Sequence, residues 1–495
     1  MAASEAQTVI EAQNLVIIMD DEHSRKVLGA YGNPRVRTPN IDALAASGTR
    51  FNACYTPSPI CVPARGAFAV GDHVHRVGSW DNANAYAGTP RSWAHRLRAQ
   101  GHEVVSIGKL HYASDAVDGG FTQSIIPMHI EEGLGDLYGL IRDPLPIRHQ
   151  SRDLSQRIGP GETSYIQYDR DITTHAEAWI RAAGNRTSEK PWVLFVSYMA
   201  PHSPLVAPPE FYALYADADL PRPKAAIEAE HPWLKAWNQC YRFDEHFQSD
   251  AQRMIAIRAY YGLCSFADAN VGRVVRALDD GGLRGGTRIM FMSDHGTNLG
   301  ARGYWGKSTM YEESVNVPLI MVGQGIAPGQ AVDTPVSLLD VCPTIFAAVG
   351  AVDDATDLPG ASLFGIADAP HDEGRLVMSE YHAAGSVSGC FMLRRGSLKF
   401  IHYVGLAPAL YDLATDPEEL HDIAGDPARA ADLAAFDLAL RAICDPAAVD
   451  AEAKQVQQAL IAQHGGAERI LRRGGRSYTP VPGEQLDLIG GQPPA

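Results

Sequence analysis

The chain runs to 495 residues with a net charge of −16 and an isoelectric point near 5.5. That balance excludes non-specific nucleic-acid binding, which needs basic surface to displace counterions. Apolar residues at 45 % and charged residues at 20 % fit a globular chain with a substantial core, and no apolar run reaches the ~18 residues of a membrane span. Seven cysteines (54, 61, 240, 264, 342, 390 and 444) form no Cys-x-x-Cys pair. This argues against a zinc ribbon or a dithiol redox site and for a reduced protein. The first residues lack the basic-then-apolar pattern of a secretory signal, so a cytoplasmic location is expected.

In chain order, Asn14 to Met19 is a β-branched apolar run, read as a strand of a parallel sheet buried on both faces. It ends in Asp20-Asp21-Glu22-His23. Carboxylates at the C-terminal end of such a strand are badly placed for packing and well placed for a ligand. Thr38-Pro39-Asn40 opens a helix closed by Gly48. Ser58 to Arg65 (Ser-Pro-Ile-Cys-Val-Pro-Ala-Arg) reads as the entry to another helix. Pro63 fits its first turn, and Cys61 and Arg65, four apart, share a face. Cys61 is then either a buried thiol at a loop-to-helix junction or a nucleophile-sized group at a helix N-terminus beside a guanidinium, a place suited to an anion.

A helix over Ser92 to Gln100 precedes a strand from Glu103 to Ile107, which ends in Gly108-Lys109-Leu110-His111. On extended chain Lys109 and His111 would point the same way. Gly119 to Gly161 shows little periodicity and reads as loops. The strand Trp192 to Ser197 leads into His202, framed by Pro201 and Pro204. Residues 210 to 250 give no clear signal. Ala251 to Leu278 carries the best helical period in the chain. Arg288 to Met292 then repeats the design of the first strand, closing in Ser293-Asp294-His295-Gly296. Lys307 follows, then a strand from Val317 to Val322 and a helix from about Leu339. From residue 385 the alternation gives way to short strands (Cys390 to Arg394, Lys399 to Tyr403), helices near 426–443 and 450–464, and a basic, Gly/Pro-rich tail. The reading is an α/β domain over 14–384, with a large, mixed, mostly parallel sheet sandwiched by helices, and an α+β subdomain over 385–495. The tail from Arg469 to Pro482 would cross to a neighbouring subunit or be a disordered end.

Taken together, Asp20-Asp21, Cys61-Val-Pro-Ala-Arg65, Gly108-Lys109-Leu-His111, His202, Asp294-His295 and Lys307 resemble the type I sulfatases of the alkaline phosphatase superfamily. The resemblance covers roughly residues 14 to 420. It implies that Cys61 is oxidised to formylglycine by a formylglycine-generating enzyme and hydrated to a gem-diol. Attack by the diol on sulfur leaves a hemiacetal that expels sulfate as the aldehyde re-forms, splitting one hard step into two easier ones. Asp20, Asp21, Asp294 and His295 would hold one divalent cation together with residue 61. Carboxylates favour Ca²⁺, with Mg²⁺ and Mn²⁺ also admitted. Arg65 would orient the diol, and Lys109 and Lys307 would clamp sulfate oxygens. His111 would be the base that breaks down the hemiacetal, and His202, with Lys307, would protonate the leaving alcohol. The expected substrate is a small-molecule sulfate ester, and a homo-oligomer is expected.

Trp80-Asp81-Asn82-Ala83, Lys109-Leu110-His111-Tyr112 and Ser293-Asp294-His295-Gly296 look most like the choline-sulfatase-like branch. A quaternary ammonium needs aromatic faces and carboxylates, for which Trp80, Asp81, Tyr86, Tyr304 and Trp305 are the candidates. The match weakens at residues 121–146, whose only aromatics are Phe121 and Tyr138, and at Thr297 and Ala301, where acidic residues are expected. The alternatives are a formylglycine phosphonate or phosphate-diester hydrolase, and a non-catalytic anion- or metal-binding protein with an unmodified Cys61.

Overall fold

The computed structural model describes residues 10–187, 189–226, 230–355, 357–485 and 489. Its centre is an eight-stranded sheet of β1 (Asn14–Asp21), β2 (Thr49–Phe51), β3 (Val104–Lys109), β4 (Gln123–Met128), β5 (Val193–Pro201), β6 (Thr287–Ser293), β7 (Leu319–Val322) and β8 (Gln330–Val332). The spatial order is β8-β2-β7-β6-β1-β5-β3-β4. Strands β6, β1, β5, β3 and β4 run parallel, whereas β7 is antiparallel to both β6 and β2.

Alternation along β1 divides the core. Leu15, Ile17 and Met19 pack on one face with Phe68, Trp93 and Val341. Val16 and Ile18 pack on the other with Ile41, Ile172 and Val271. The first face is covered by helices over Cys61–Val70, Trp93–Ala99 and Val341–Val349, and the second by those over Pro39–Ser47, Ser164–Gly184 and Asp250–Asp280. In chain order these are α1 (Pro39–Ser47), α2 (Cys61–Val70), α3 (Trp93–Ala99), α4 (Ser164–Gly184), α5 (Asp250–Asp280) and α6 (Val341–Val349). Two covered faces explain why the central strands read as unbroken apolar runs.

A four-stranded antiparallel sheet, Leu376–Tyr381, Cys390–Arg395, Leu398–Tyr403 and Ala409–Asp412, packs with the helices Ala430–Ile443 and Pro446–Gln463. Its first strand lies on the N-terminal side of residue 385, so this sheet spans the expected boundary. A buried ion pair joins it to the rest of the molecule: Lys399 Nζ donates to Glu312 at 3.0 Å and pairs with Glu419 at 2.6 Å, and beside this cluster Arg302 donates to Glu313 at 3.1 Å. No helix among the described residues is long and apolar enough to cross a membrane.

Two readings change. The 21-residue α4 was missed because its apolar positions are interleaved with Asp, Arg, Thr and His along an amphipathic face that only the sheet completes. The tail follows a last short helix, Ala467–Arg473, and folds back on its own chain. Tyr165 Oη donates to the Thr479 carbonyl at 2.6 Å, Ser477 Oγ donates to Asp153 at 2.8 Å, and the Tyr478 ring meets Tyr165 edge-on at 5.1 Å.

Candidate active site

The register of the parallel strands assembles the site. Asp20 on β1 lies beside Ser293 on β6, Met19 on β1 beside Ser197 on β5, and Ser197 beside Gly108 on β3. The residues that follow (Asp21, Lys109, Asp294 and His295) therefore emerge together at the C-terminal edge of the sheet, where ligands of α/β folds bind. The N-terminus of α2 is brought to the same edge. Cys61 is its first residue, and Ile60 at the cap position supplies no side-chain bond to the free amides.

Cys61 is 2 % exposed and stands at the meeting point of the other groups. Its Sγ lies 3.1 Å from His295 Nε2, 3.3 Å from Lys307 Nζ and 3.5 Å from Asp21 Oδ1. Burial alone would raise the thiol's pKa, yet Lys109, Lys307 and His295 hold it well below the usual range. An anionic group at this position is therefore favoured.

Arg65 is fully buried on the same helix face. It donates from Nε to Asp294 Oδ2 at 2.8 Å, and from Nη1 to the Lys109 carbonyl at 2.9 Å and Ser197 Oγ at 2.8 Å; its Nη2 is 3.5 Å from Asp21. Arg65 thus ties β1, β3, β5 and β6 together, and orients the two carboxylates rather than residue 61 itself. Lys109 Nζ bonds to Asp21. Burial and the Cys61 charge push Asp21 up, but Lys109, His202 and Arg65 prevail and keep it ionised.

Ligand atoms of Asp21, Cys61, Asp294 and His295 lie within 4.8 Å of one another. Asp20 stands just outside that group: Oδ2 takes a 2.7 Å bond from His23 Nδ1, and Oδ1 is buried with no partner. The His295 Nδ1 bonds to the Gly296 carbonyl at 3.0 Å, which turns Nε2 towards Cys61 as a ligand nitrogen. Burial and Asp21 raise the Asp294 carboxyl, while burial, which would lower His295, is outweighed by Asp294 and Cys61, leaving it at about 9. Like charges crowded together, an orphaned carboxylate oxygen and an oriented imidazole fit a divalent cation. The oxygen-rich donor set matches a hard ion.

On the other side of Cys61, Lys307 Nζ donates to His202 Nε2 at 2.6 Å and to Glu22 Oε2 at 2.9 Å. The His202 Nδ1 bonds to the Ser203 carbonyl at 2.6 Å, leaving Nε2 as the face presented to the site. Glu22 also stands 3.5 Å from His202 Nε2. The sequence reading passed over this carboxylate, although it is the third member of the Asp20-Asp21-Glu22-His23 run. Its backbone adopts φ 65°, and its carboxylate stands with Asp21 and His202, the ligand atoms of the three lying within 4.8 Å of one another.

The expected extended geometry around Lys109 and His111 is not found. Strand β3 ends at Lys109, the amides of Leu110 and His111 both bond to the Met128 carbonyl, and His111 adopts φ 55°. The imidazole is nevertheless at the site, buried beside the Cys61 thiol, with no other polar partner for its nitrogens. Burial and Lys109 push its pKa down to about 3, so the ring is a neutral base.

The cage candidates are placed elsewhere. Trp80 packs edge-on against His382, Tyr86 against Tyr112, Tyr304 donates to Glu230, and Trp305 Nε1 bonds to Asp244 at 2.9 Å. Asp81 caps Ala83 and Asn84. Periodicity cannot separate such packing aromatics from a binding cage. The cavity of about 210 Å³ above Cys61 is lined instead by Tyr138, Tyr165, Trp237, Tyr241, Phe243 and Tyr478.

Residues 13–351 match the sulfatase family model, and residues 300–442 match the N-sulphoglucosamine sulphohydrolase C-terminal model. A choline-sulfatase of Rhizobium meliloti is 30 % identical over 431 residues, 83 % of this chain and 82 % of the relative. Arylsulfatase K of Danio rerio is also 30 % identical, over 83 % and 80 % of the two chains. Among solved structures, the phosphonate monoester hydrolase of Agrobacterium radiobacter superposes with a TM-score of 0.70 at 22 % identity, covering 87 % of this chain and 95 % of that one, which shows a shared fold. With Cys61, the carboxylates and the lysines gathered at one sheet edge, the chain belongs to the sulfatase family, and like its choline-sulfatase and arylsulfatase K relatives it is a sulfuric ester hydrolase.

Proposed function

We propose that the protein cleaves R–O–SO₃⁻ to an alcohol and sulfate, with residue 61 acting as the nucleophile after conversion of its thiol to formylglycine. The observation that carries this reading is the position of Cys61, buried at the first turn of α2 and within 3.5 Å of an imidazole, a lysine and a carboxylate at once. A cation held by Asp21, Asp294, His295 and the free oxygen of Asp20 would polarise the ester and favour the ionised hydrate.

The chain's own residues do the rest. Lys109 and Lys307 neutralise the sulfate oxygens, and Arg65 keeps Asp21 and Asp294 in place. Lys307 and Glu22 hold His202 on the side where the alcohol leaves, so a proton reaches the departing oxygen from this pair. His111, neutral and without a competing hydrogen bond, is placed to take the hydrate's second proton so that sulfate is expelled and the aldehyde re-forms. The choline-sulfatase and arylsulfatase K relatives support a small sulfate ester as substrate.

Rates on 4-nitrophenyl sulfate and 4-nitrophenyl phenylphosphonate test the reaction class. A higher kcat/KM on the sulfate is expected, and a clear preference for the phosphonate would overturn the assignment.

A further inference from the structure

The cavity above Cys61 has a second polar end that the sulfate chemistry leaves unused. Arg148 and Gln150 both line it, and they are 6 % and 4 % exposed. Arg148 spends Nη2 on Asp136 at 2.7 Å, while its Nε and Nη1 have no partner. Neither amide atom of Gln150 is partnered. Buried polar groups in folded proteins are almost always satisfied, so unspent donors on two neighbouring residues of a cavity wall call for a polar guest.

The guanidinium is held rather than loose. The rings of Tyr138 and Tyr241 flank it at 5.5 and 5.3 Å, and its backbone amide bonds to the Cys240 carbonyl at 2.8 Å. A guanidinium fixed in this way offers its Nε–H and Nη1–H on two different edges, each able to give a charge-assisted hydrogen bond to an oxyanion. The folded-back tail closes the wall: a Cβ on Gly475 would come within 2.9 Å of Gln150 Nε2. The same arrangement disfavours a quaternary ammonium. The faces of Tyr138 and Tyr241 are already covered by Arg148, and that of Tyr478 by Arg157 at 4.9 Å. At these three rings an added cation would meet a cation already in place rather than an open face.

We propose that Arg148 and Gln150 form a second oxyanion subsite, so that the preferred substrates are sulfate esters whose alcohol part carries a carboxylate or a further sulfate-like group. This rests on the reading of the Cys61 site as a sulfatase centre.

The test compares kcat/KM of the mature enzyme on 4-nitrophenyl sulfate, its 3-carboxy and 3-sulfo derivatives, and choline sulfate. A charge-assisted contact predicts a preference of about ten- to a hundred-fold for at least one doubly charged ester over 4-nitrophenyl sulfate. The stronger of the two derivatives identifies the anion. Arg148→Gln and Gln150→Leu should each pull that ratio towards one. A variant that merely folds poorly lowers both rates together and leaves the ratio where it was. The proposal is overturned by a wild-type ratio near one, by ratios that neither substitution moves, or by choline sulfate as the best substrate. Should only phosphonate esters turn over, the sulfatase reading fails, and the same ratio measured on carboxylated phenylphosphonates still decides the subsite.

Discussion

Two of the charge clusters buried among the described residues are built on opposite plans. At the junction with the small sheet, Lys399 lies between Glu312 and Glu419, Arg302 is matched to Glu313, and the Arg302 guanidinium rests 3.8 Å from the Tyr311 ring centroid. Each charge there faces an opposite one supplied by the chain. At the sheet edge, Asp20, Asp21 and Asp294 crowd one another, His111 has no polar partner but the Cys61 thiol, and Asp20 keeps a free buried oxygen. The first cluster pairs its charges within the chain and fastens two parts of the molecule. The second is left incomplete by the chain, and what would complete it is ligand. Pairing of opposite charges within the chain and crowding of like ones thus separate a bracing network from one that would hold a ligand.

The contrast can be broken at either cluster. Cys61→Ala removes the proposed nucleophile and should lower kcat by at least about 10⁴-fold while leaving the thermal unfolding profile close to that of the parent. A residual rate within about a hundred-fold of the parent would exclude residue 61 from the chemistry. Lys399→Met does the converse. It strands Glu312 and Glu419 without their shared cation and should cost about 3–5 kcal/mol in urea unfolding. The activity per folded molecule should be retained, because the lysine touches nothing at the site.

A third effect is pH-linked and lies away from both clusters. His73 is 8 % exposed, and burial, aided by the neighbouring His75, takes its pKa down to about 4 despite Glu380. The unfolded chain binds a proton there near pH 6.5 and the folded one does not. Stability is therefore full above the unfolded value and declines as pH falls from about 6.5 to 4, by roughly 2–3 kcal/mol. Urea midpoints measured across that window should fall for the parent and fall less for His73→Gln. The smallest effect is expected at Glu22→Gln, which weakens the hold on Lys307 and His202. A loss of about tenfold in kcat is expected, greatest for esters of poorly acidic alcohols, whose departure most needs a proton.

The parts of this design that could be read from residues were those where local pattern and chemistry coincide. Apolar runs ending in Asp20-Asp21 and Asp294-His295 announce strands whose ends are wasted on packing, and the structure sets those ends side by side. The helix start at Cys61 follows from Pro63 and the spacing to Arg65. What could not be read depends on neighbours distant in sequence. Arg65 contacts Asp294, 229 residues away, so its role as a brace appears only once the strands are in register. The left-handed turns at Glu22 and His111 carry no glycine to signal them. Trp80 and Trp305 look like binding residues in the sequence and are core residues in the fold, while the wall built by Arg148 and the tail sits in segments with no periodicity to interpret.

The mass of the peptide containing residue 61, taken from enzyme that is active as purified, addresses the central claim most directly. Conversion of the cysteine to formylglycine lowers that mass by about 18 Da, and the converted fraction should track specific activity across preparations. Full activity from a preparation in which the peptide carries only an unmodified thiol would contradict it.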